Sequence, residues 1–117
     1  MSTTPRIGIT EIEHGEINGD VTINEMLRFL DFHMQAFVEH LAPVTVPGSP
    51  TNGQAWIIDT PANWPAADAL GNAPTLYDIA HRYKGAWYYY TPADGWVIFD
   101  KNTDAQYHYN ASAWAAL

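Results

Sequence analysis

Four short phrases in this chain share one grammar. They read Gly53-Gln-Ala-Trp56-Ile-Ile, Gly85-Ala-Trp87-Tyr-Tyr-Tyr, Gly95-Trp96-Val-Ile-Phe and Ala113-Trp114-Ala-Ala-Leu117. In each, a turn-forming stretch leads into an indole and then into apolar or aromatic residues. Short runs of strand formers bounded by turn residues are the mark of antiparallel β-structure. The repeated pattern predicts a small β module with an indole near the start of most strands.

The rest of the C-terminal half fits that pattern. Strands are predicted at 55–59, 77–83, 86–90, 96–100, 105–109 and 113–117. Lys84-Gly85 reads as a tight hairpin turn, and Thr91-Pro-Ala-Asp-Gly95 is a turn by its chemistry. Lys101-Asn-Thr-Asp104 and Asn110-Ala-Ser112 separate the last three strands. Residues 60–76 form a long loop holding Pro61, Pro65, Pro74 and an isolated Trp64. Strands this short and evenly spaced build a compact sheet or a small barrel.

The N-terminal half follows another period. Residues 1–22 read as an extended arm, interrupted by Gly8, Gly15 and Gly19, which either docks on a neighbour or frays. Between 23 and 41, apolar residues recur at Ile23, Leu27, Leu30, Met34, Phe37 and Leu41, in steps of four and three. That is a heptad stripe, and it predicts one amphipathic helix ending before Pro43. Phe29, Phe32 and Ala36 lie off the stripe and need a second surface. The stripe therefore reads as an oligomer seam with the second patch packed on the β module, or else as one wide face buried in a monomer. Leu and Ile at seam positions favour three or four strands over two, and of these a trimer is the expected state. Residues 42–53 are a linker rich in Pro, Gly and Ser, and 54–117 form the β head. The expected class is α+β: an arm, one heptad-patterned helix, then about six short antiparallel strands as a sheet or barrel.

Charge narrows the partners. Five Lys and Arg face thirteen Asp and Glu, a net charge of -8. Phosphate backbones and anionic membranes would repel such a surface, so neither nucleic acid nor membrane is an expected partner. There is no cysteine, hence no thiol chemistry. No signal peptide or membrane span is expected, because no apolar run follows Arg6 and none reaches 18 residues.

Catalytic signatures are sparse. Histidines at 14, 33, 40, 81 and 108 form no ligand array, and His33 and His40 are seven apart where a helical metal pair is four apart. Asp94, Asp100 and Asp104 could pair as in glycoside hydrolysis, but carboxylates in turns usually cap backbone. Residues 100–104 only superficially resemble a calcium loop. No nucleophile elbow, phosphate loop or dinucleotide fingerprint occurs. The expectation is a non-enzyme without cofactor or metal.

Several phrases together resemble a family of phage structural domains. Val21-Thr-Ile-Asn24-Glu25-Met-Leu27-Arg28-Phe-Leu30-Asp31 is similar to its Asn-Glu-Ala-Leu-Arg-x-Leu-Asp opening. Pro47-Gly-Ser-Pro50-Thr-Asn-Gly53-Gln-Ala-Trp56-Ile-Ile, Gly85-Ala-Trp87-Tyr-Tyr-Tyr-Thr91-Pro92-x-x-Gly95-Trp96 and Ala113-Trp114 follow its later motifs in order. The resemblance spans roughly 21–117, while loop 60–76 and the Glu-bearing arm depart from it. That family has no assigned molecular function and occurs in tail, fibre or head-spike genes of tailed phages and in gene transfer agents. The resemblance implies a virion structural protein whose arm binds other virion proteins.

What remains is aromatic density. Alternation sends Trp87 and Tyr89 to one face of a strand and Tyr88 and Tyr90 to the other. Trp64, Trp87, Tyr88, Tyr90, Trp96, Tyr107 and Tyr109 form the candidate ligand or partner face. They serve either core and subunit contacts or stacking against the apolar faces of host-surface sugars.

Overall fold

The computed structural model of the chain describes residues 3–6, 8, 20–34, 36–41 and 46–117. Most of the predicted arm lies outside these residues, as does the side chain of Ile23. The chain divides into two compact units, Met1–Gln35 and Ala36–Leu117. The β head thus starts at Ala36, not at 54.

The first unit holds one helix, α1 (Asp20–His33). Its last turn closes on His33, whose Nδ1 lies 2.8 Å from the Phe29 carbonyl while the two rings stack at 3.9 Å. A histidine side chain folded back onto the carbonyls of the last turn suits a helix end. The predicted continuation to 41 does not occur, so Phe37 and Leu41 leave the heptad stripe. Tertiary pairing overrides the local period: Phe37–Val38 is a strand, β1, and Val38 is fully buried.

The second unit carries six further strands: β2 (Ala55–Ile57), β3 (Ile79–Tyr83), β4 (Ala86–Tyr90), β5 (Val97–Asp100), β6 (Ala105–Asn110) and β7 (Ala113–Ala116). All six predicted strands form, a residue or two shorter in most cases. They build two sheets, β2-β3-β4 and β1-β5-β6-β7, that do not close into a barrel. The pairings between these strands are antiparallel except β1 with β5, which is parallel, as is the isolated bridge of His40 with Trp56.

Residues 36–40 join the two sheets. On one side the amides of Phe99 and Lys101 donate to the carbonyls of Ala36 and Val38, both at 3.0 Å. On the other, the Glu39 amide donates to the Ala55 carbonyl at 2.7 Å and the Ile57 amide to the His40 carbonyl at 3.1 Å. The layer therefore runs β4-β3-β2, then the 36–40 segment, then β5-β6-β7. Above the joint, Lys101 bridges to Glu39 at 3.2 Å and sits 5.4 Å from the Phe37 ring centroid.

Turn chemistry sets the register. Lys84 (φ 51°) and Gly85 (φ 84°) make the two-residue loop between β3 and β4. Gly95 (φ 95°) opens a bulge: its amide donates to the Tyr109 carbonyl, and the Tyr109 amide donates to the Trp96 carbonyl, so two residues face one. The β6–β7 loop is less well matched. Ala111 (φ 53°) and Ser112 (φ 66°) both sit in the left-handed region, where Asn-Gly is preferred. Replacing the pair with Asn-Gly should stabilise the fold by about 1 kcal/mol. An unchanged or lower midpoint in denaturant would refute that account of the turn.

The core lies against β2-β3-β4. Trp56, Ile58, Trp64, Ala80, Trp87 and Tyr89 form one buried cluster, with Val46 packed on it. Trp87 meets Trp56 at 5.7 Å and Trp64 at 5.1 Å, both edge to face. Such contacts add about 0.5–1.5 kcal/mol each beyond area burial. The opposite face buries Ile57, Ile79 and His81, whose Nδ1 lies 2.9 Å from the Tyr90 hydroxyl.

Candidate functional site

Burial divides the candidate aromatic face. Trp64, Trp87 and Tyr90 are core residues, at 4, 9 and 7% exposure, and offer no ring face to a solvent-borne ligand. They leave the predicted set because the sheet buries both of its faces. Tyr88 is half-buried and meets Tyr83 edge-on at 6.2 Å.

Trp96, Tyr107 and Tyr109 belong together. Ile98 pairs with Tyr107, Tyr107 with Ala116, and Tyr109 with Trp114; the bulge sets Trp96 opposite Tyr109. Cross-strand partners share a face, so Trp96, Tyr107, Tyr109 and Trp114 form one aromatic row across β5, β6 and β7. All four are half-buried. Trp114 was absent from the predicted face, although its repeat of the turn-Trp phrase marked it. Its ring meets Tyr109 edge-on at 5.2 Å and its indole N–H donates to the Tyr77 carbonyl at 2.9 Å. The Tyr107 hydroxyl lies 3.4 Å from that of Thr103, which donates to Asp100 Oδ2 at 2.8 Å. Asp100 is fully buried and also takes the Asn102 amide, so it organises its turn as a capping carboxylate does.

Two buried acids shape the other sheet. Asp68 Oδ1 accepts the amides of Leu70 (2.9 Å) and Asn72 (2.8 Å); Oδ2 accepts the Tyr89 amide (2.8 Å) and Asn72 Nδ2 (3.3 Å). Burial opposes its ionisation, but the amides of Tyr89, Asn72 and Leu70 outweigh that and hold the carboxyl below its ordinary range. The Tyr89 hydroxyl donates to the Pro65 carbonyl at 2.9 Å; burial, aided by the Asp68 charge, pushes its pKa to about 12. Asp78 goes the other way. Burial pushes it up against hydrogen bonds from Thr75 and Thr91, and its Oδ1 has no partner among the described residues. Among the described residues no three His, Asp or Glu side chains are grouped as metal ligands would be. No helix among them is long and apolar enough to cross a membrane.

Among the described side chains of α1 the buried ones are Arg28 (7%), Asp31 (0%) and Phe32 (0%). The Arg6 amide donates to Asp31 Oδ2 at 3.0 Å, and the Arg6 guanidinium lies 4.7 Å from the Phe32 centroid. Four apolar side chains face water: Met26 (58%), Phe29 (40%), Leu30 (43%) and Met34 (63%). Of the predicted seam, Leu30 and Met34 lie on this face and Leu27 is half-buried. Met26 and Phe29 were missed because the heptad count favoured a stripe one residue around the helix. Glu25, Met26, Arg28, Phe29 and Leu30 line a shallow cavity of about 360 Å³ on this unit. Burial also lowers the pKa of His33 beside it.

The described residues thus define an α+β protein with one helix and seven strands in two sheets. Residues 23–115 match the family described as protein of unknown function (DUF2793), and the chain belongs to that family. No curated protein and no solved structure matches it.

Proposed function

We propose that the chain is a structural component of a bacteriophage or phage-like particle: a spike, fibre or adaptor protein that assembles through copies of itself. The observation that carries self-assembly is the exposed apolar face of α1. Burying Arg28 and Asp31 while leaving Met26, Phe29, Leu30 and Met34 in water is unfavourable for an isolated chain. A second copy is the fitting cover, because it brings the same apolar side chains to the contact, as an interface between identical surfaces requires. The virion setting rests on the motif resemblance at the helix start and the turn-Trp phrases. In this reading the N-terminal arm attaches the assembly to other virion proteins, and the β head faces outward.

Light scattering on the purified chain should give a trimer or a multiple of three. Leu30→Asp with Met34→Asp should abolish the threefold mass while the near-ultraviolet dichroism of the head persists. A wild-type monomer would overturn self-assembly through α1.

The aromatic row supports a second role in the same setting, contact with a neutral host-surface glycan. Half-buried Trp96, Tyr107, Tyr109 and Trp114 could stack on sugar C–H faces while Tyr107 and Thr103 hydroxyls meet sugar hydroxyls. Tryptophan fluorescence should then saturate with a host polysaccharide, and Tyr109→Ala should weaken binding by at least tenfold, about 1.4 kcal/mol. No saturable change across neutral polysaccharides would remove this role.

A further inference from the structure

The two ends of the strand layer are treated differently, and the difference points to a partner. At one end stands β4. The β3–β4 loop closes between Tyr83 and Ala86, so Trp87 and Tyr89 turn their backbone groups away from β3. Both are covered. The Trp87 carbonyl accepts the Ala69 amide at 3.0 Å, and the Tyr89 amide donates to Asp68 Oδ2 at 2.8 Å. Loop 60–76 is thereby a plug on this edge, the kind of device that keeps sheets from pairing with other chains.

At the other end stands β7, on which no loop of the described residues closes. The Leu117 amide donates to the Gln106 carbonyl at 3.0 Å, so residues 113, 115 and 117 address β6, and Trp114 and Ala116 point their amides and carbonyls outward. Among the described residues no backbone group pairs with them. The usual guards of an open edge are missing too. From 105 to 117 there is no Lys, Arg, Asp, Glu or Pro, in a chain of net charge -8. Ala115, Ala116 and Leu117 are exposed, Leu117 at 69%.

We propose that β7 is a homotypic docking edge, on which β7 of a second copy pairs antiparallel about a two-fold axis through Ala115. The sequence suits itself in this register. Trp114 of each copy lies across from Ala116 of the other, so the largest side chain of the strand meets one of the smallest on a shared face. Trp114 and Ala116 exchange their outward amides and carbonyls, four hydrogen bonds in all by symmetry. Leu117 lies across from Ala113. The uncharged edge is also where two acidic chains approach with least repulsion. β7 belongs to the second unit and α1 to the first, so the two self-contacts are probed by different substitutions.

The two Ala115 residues form a non-hydrogen-bonded pair on the axis, with Cα atoms about 4.5 Å apart, within disulfide range. The natural chain has no cysteine, so Ala115→Cys introduces one thiol. Under mild oxidant it should form a covalent dimer roughly a hundredfold faster than Asp94→Cys, an exposed turn control, because pairing raises the local thiol concentration from about ten micromolar to about one millimolar. Adding Ala116→Pro removes an outward amide and leaves the β6 ladder intact, so it should abolish the excess rate while the head keeps its dichroism. Carried on the Leu30→Asp, Met34→Asp background, the Ala115→Cys excess should survive the loss of helix contacts. Equal rates for the two single-cysteine chains, or an excess that persists with Ala116→Pro, would overturn the β7 proposal and leave the helix reading standing. An excess in a chain whose mass is indifferent to the helix substitutions would do the reverse.

Discussion

Asp68→Ala should lower the stability of the β head by about 3 kcal/mol, a fall of roughly 10–20 °C in the thermal midpoint. One carboxylate accepts three amides and the Asn72 side chain, and through the Tyr89 amide it holds loop 60–76 on the edge of β4. Removing it leaves buried donors without an acceptor, which is more expensive than losing an ordinary hydrogen bond. Asp68→Asn keeps one acceptor oxygen and should recover part of the loss. The pH dependence gives a separate check. The folded pKa of Asp68 is depressed, so its contribution is complete above the unfolded value of about 4 and disappears as pH falls through the lower folded value. Wild type and Asp68→Ala should differ by a constant amount from pH 7 to about 5 and converge below about 4. A difference that stays constant into acid would mean that the ionised carboxylate is not what holds the loop. Because the same loop plugs β4, the variant should also aggregate more readily near its midpoint.

Val38→Ala should cost about 2 kcal/mol. Val38 is fully buried, and its carbonyl takes the Lys101 amide. Glu39→Pro should cost about 3 kcal/mol or more, since proline deletes the amide that donates to Ala55 across the joint between the sheets. These variants separate the strand from the helix that the heptad count implies. On a helix running to residue 41, Val38 would lie off the stripe, and alanine, the better helix former, would leave stability unchanged or raise it. Urea unfolding followed by tryptophan fluorescence decides between them. A neutral Val38→Ala would mean that 36–40 is not the strand that joins the sheets.

The contrast between these two regions shows what sequence can carry. The strands from Ala55 to Ala116 were legible because each is announced locally: Lys84-Gly85, Asp94-Gly95 and Asn110-Ala-Ser112 fix turns, and the strands between them pair mostly with sequence neighbours. β1 pairs with residues about sixty positions away, and nothing in Phe37-Val38 states that. Its apolar spacing continued the α1 rhythm by coincidence, which is why Phe37 and Leu41 entered the seam. Trp64 stood alone in a proline-rich loop and looked like a surface aromatic. It is held in the core by Asp68 and Tyr89, whose bonds to the loop have no sequence signature. The aromatic row was half legible: alternation placed Tyr107 and Tyr109 together, but only the β6–β7 register adds Trp114. The open β7 edge was hidden for the same reason, because an edge is defined by what the other strands leave uncovered.

The joint at 36–40 also orders events in time. A ribosome releases this segment well before its partners: Ala55–Ile57 come next, and Val97–Asp100 about sixty residues later. Closing that long loop has an entropic cost that the local β3–β4 and β5–β6–β7 hairpins do not bear, so the hairpins form first and β1 docks onto them last. The part of the chain that is made early is thus anchored late. Late docking of β1 thus makes the finished hairpins the condition for joining the two sheets.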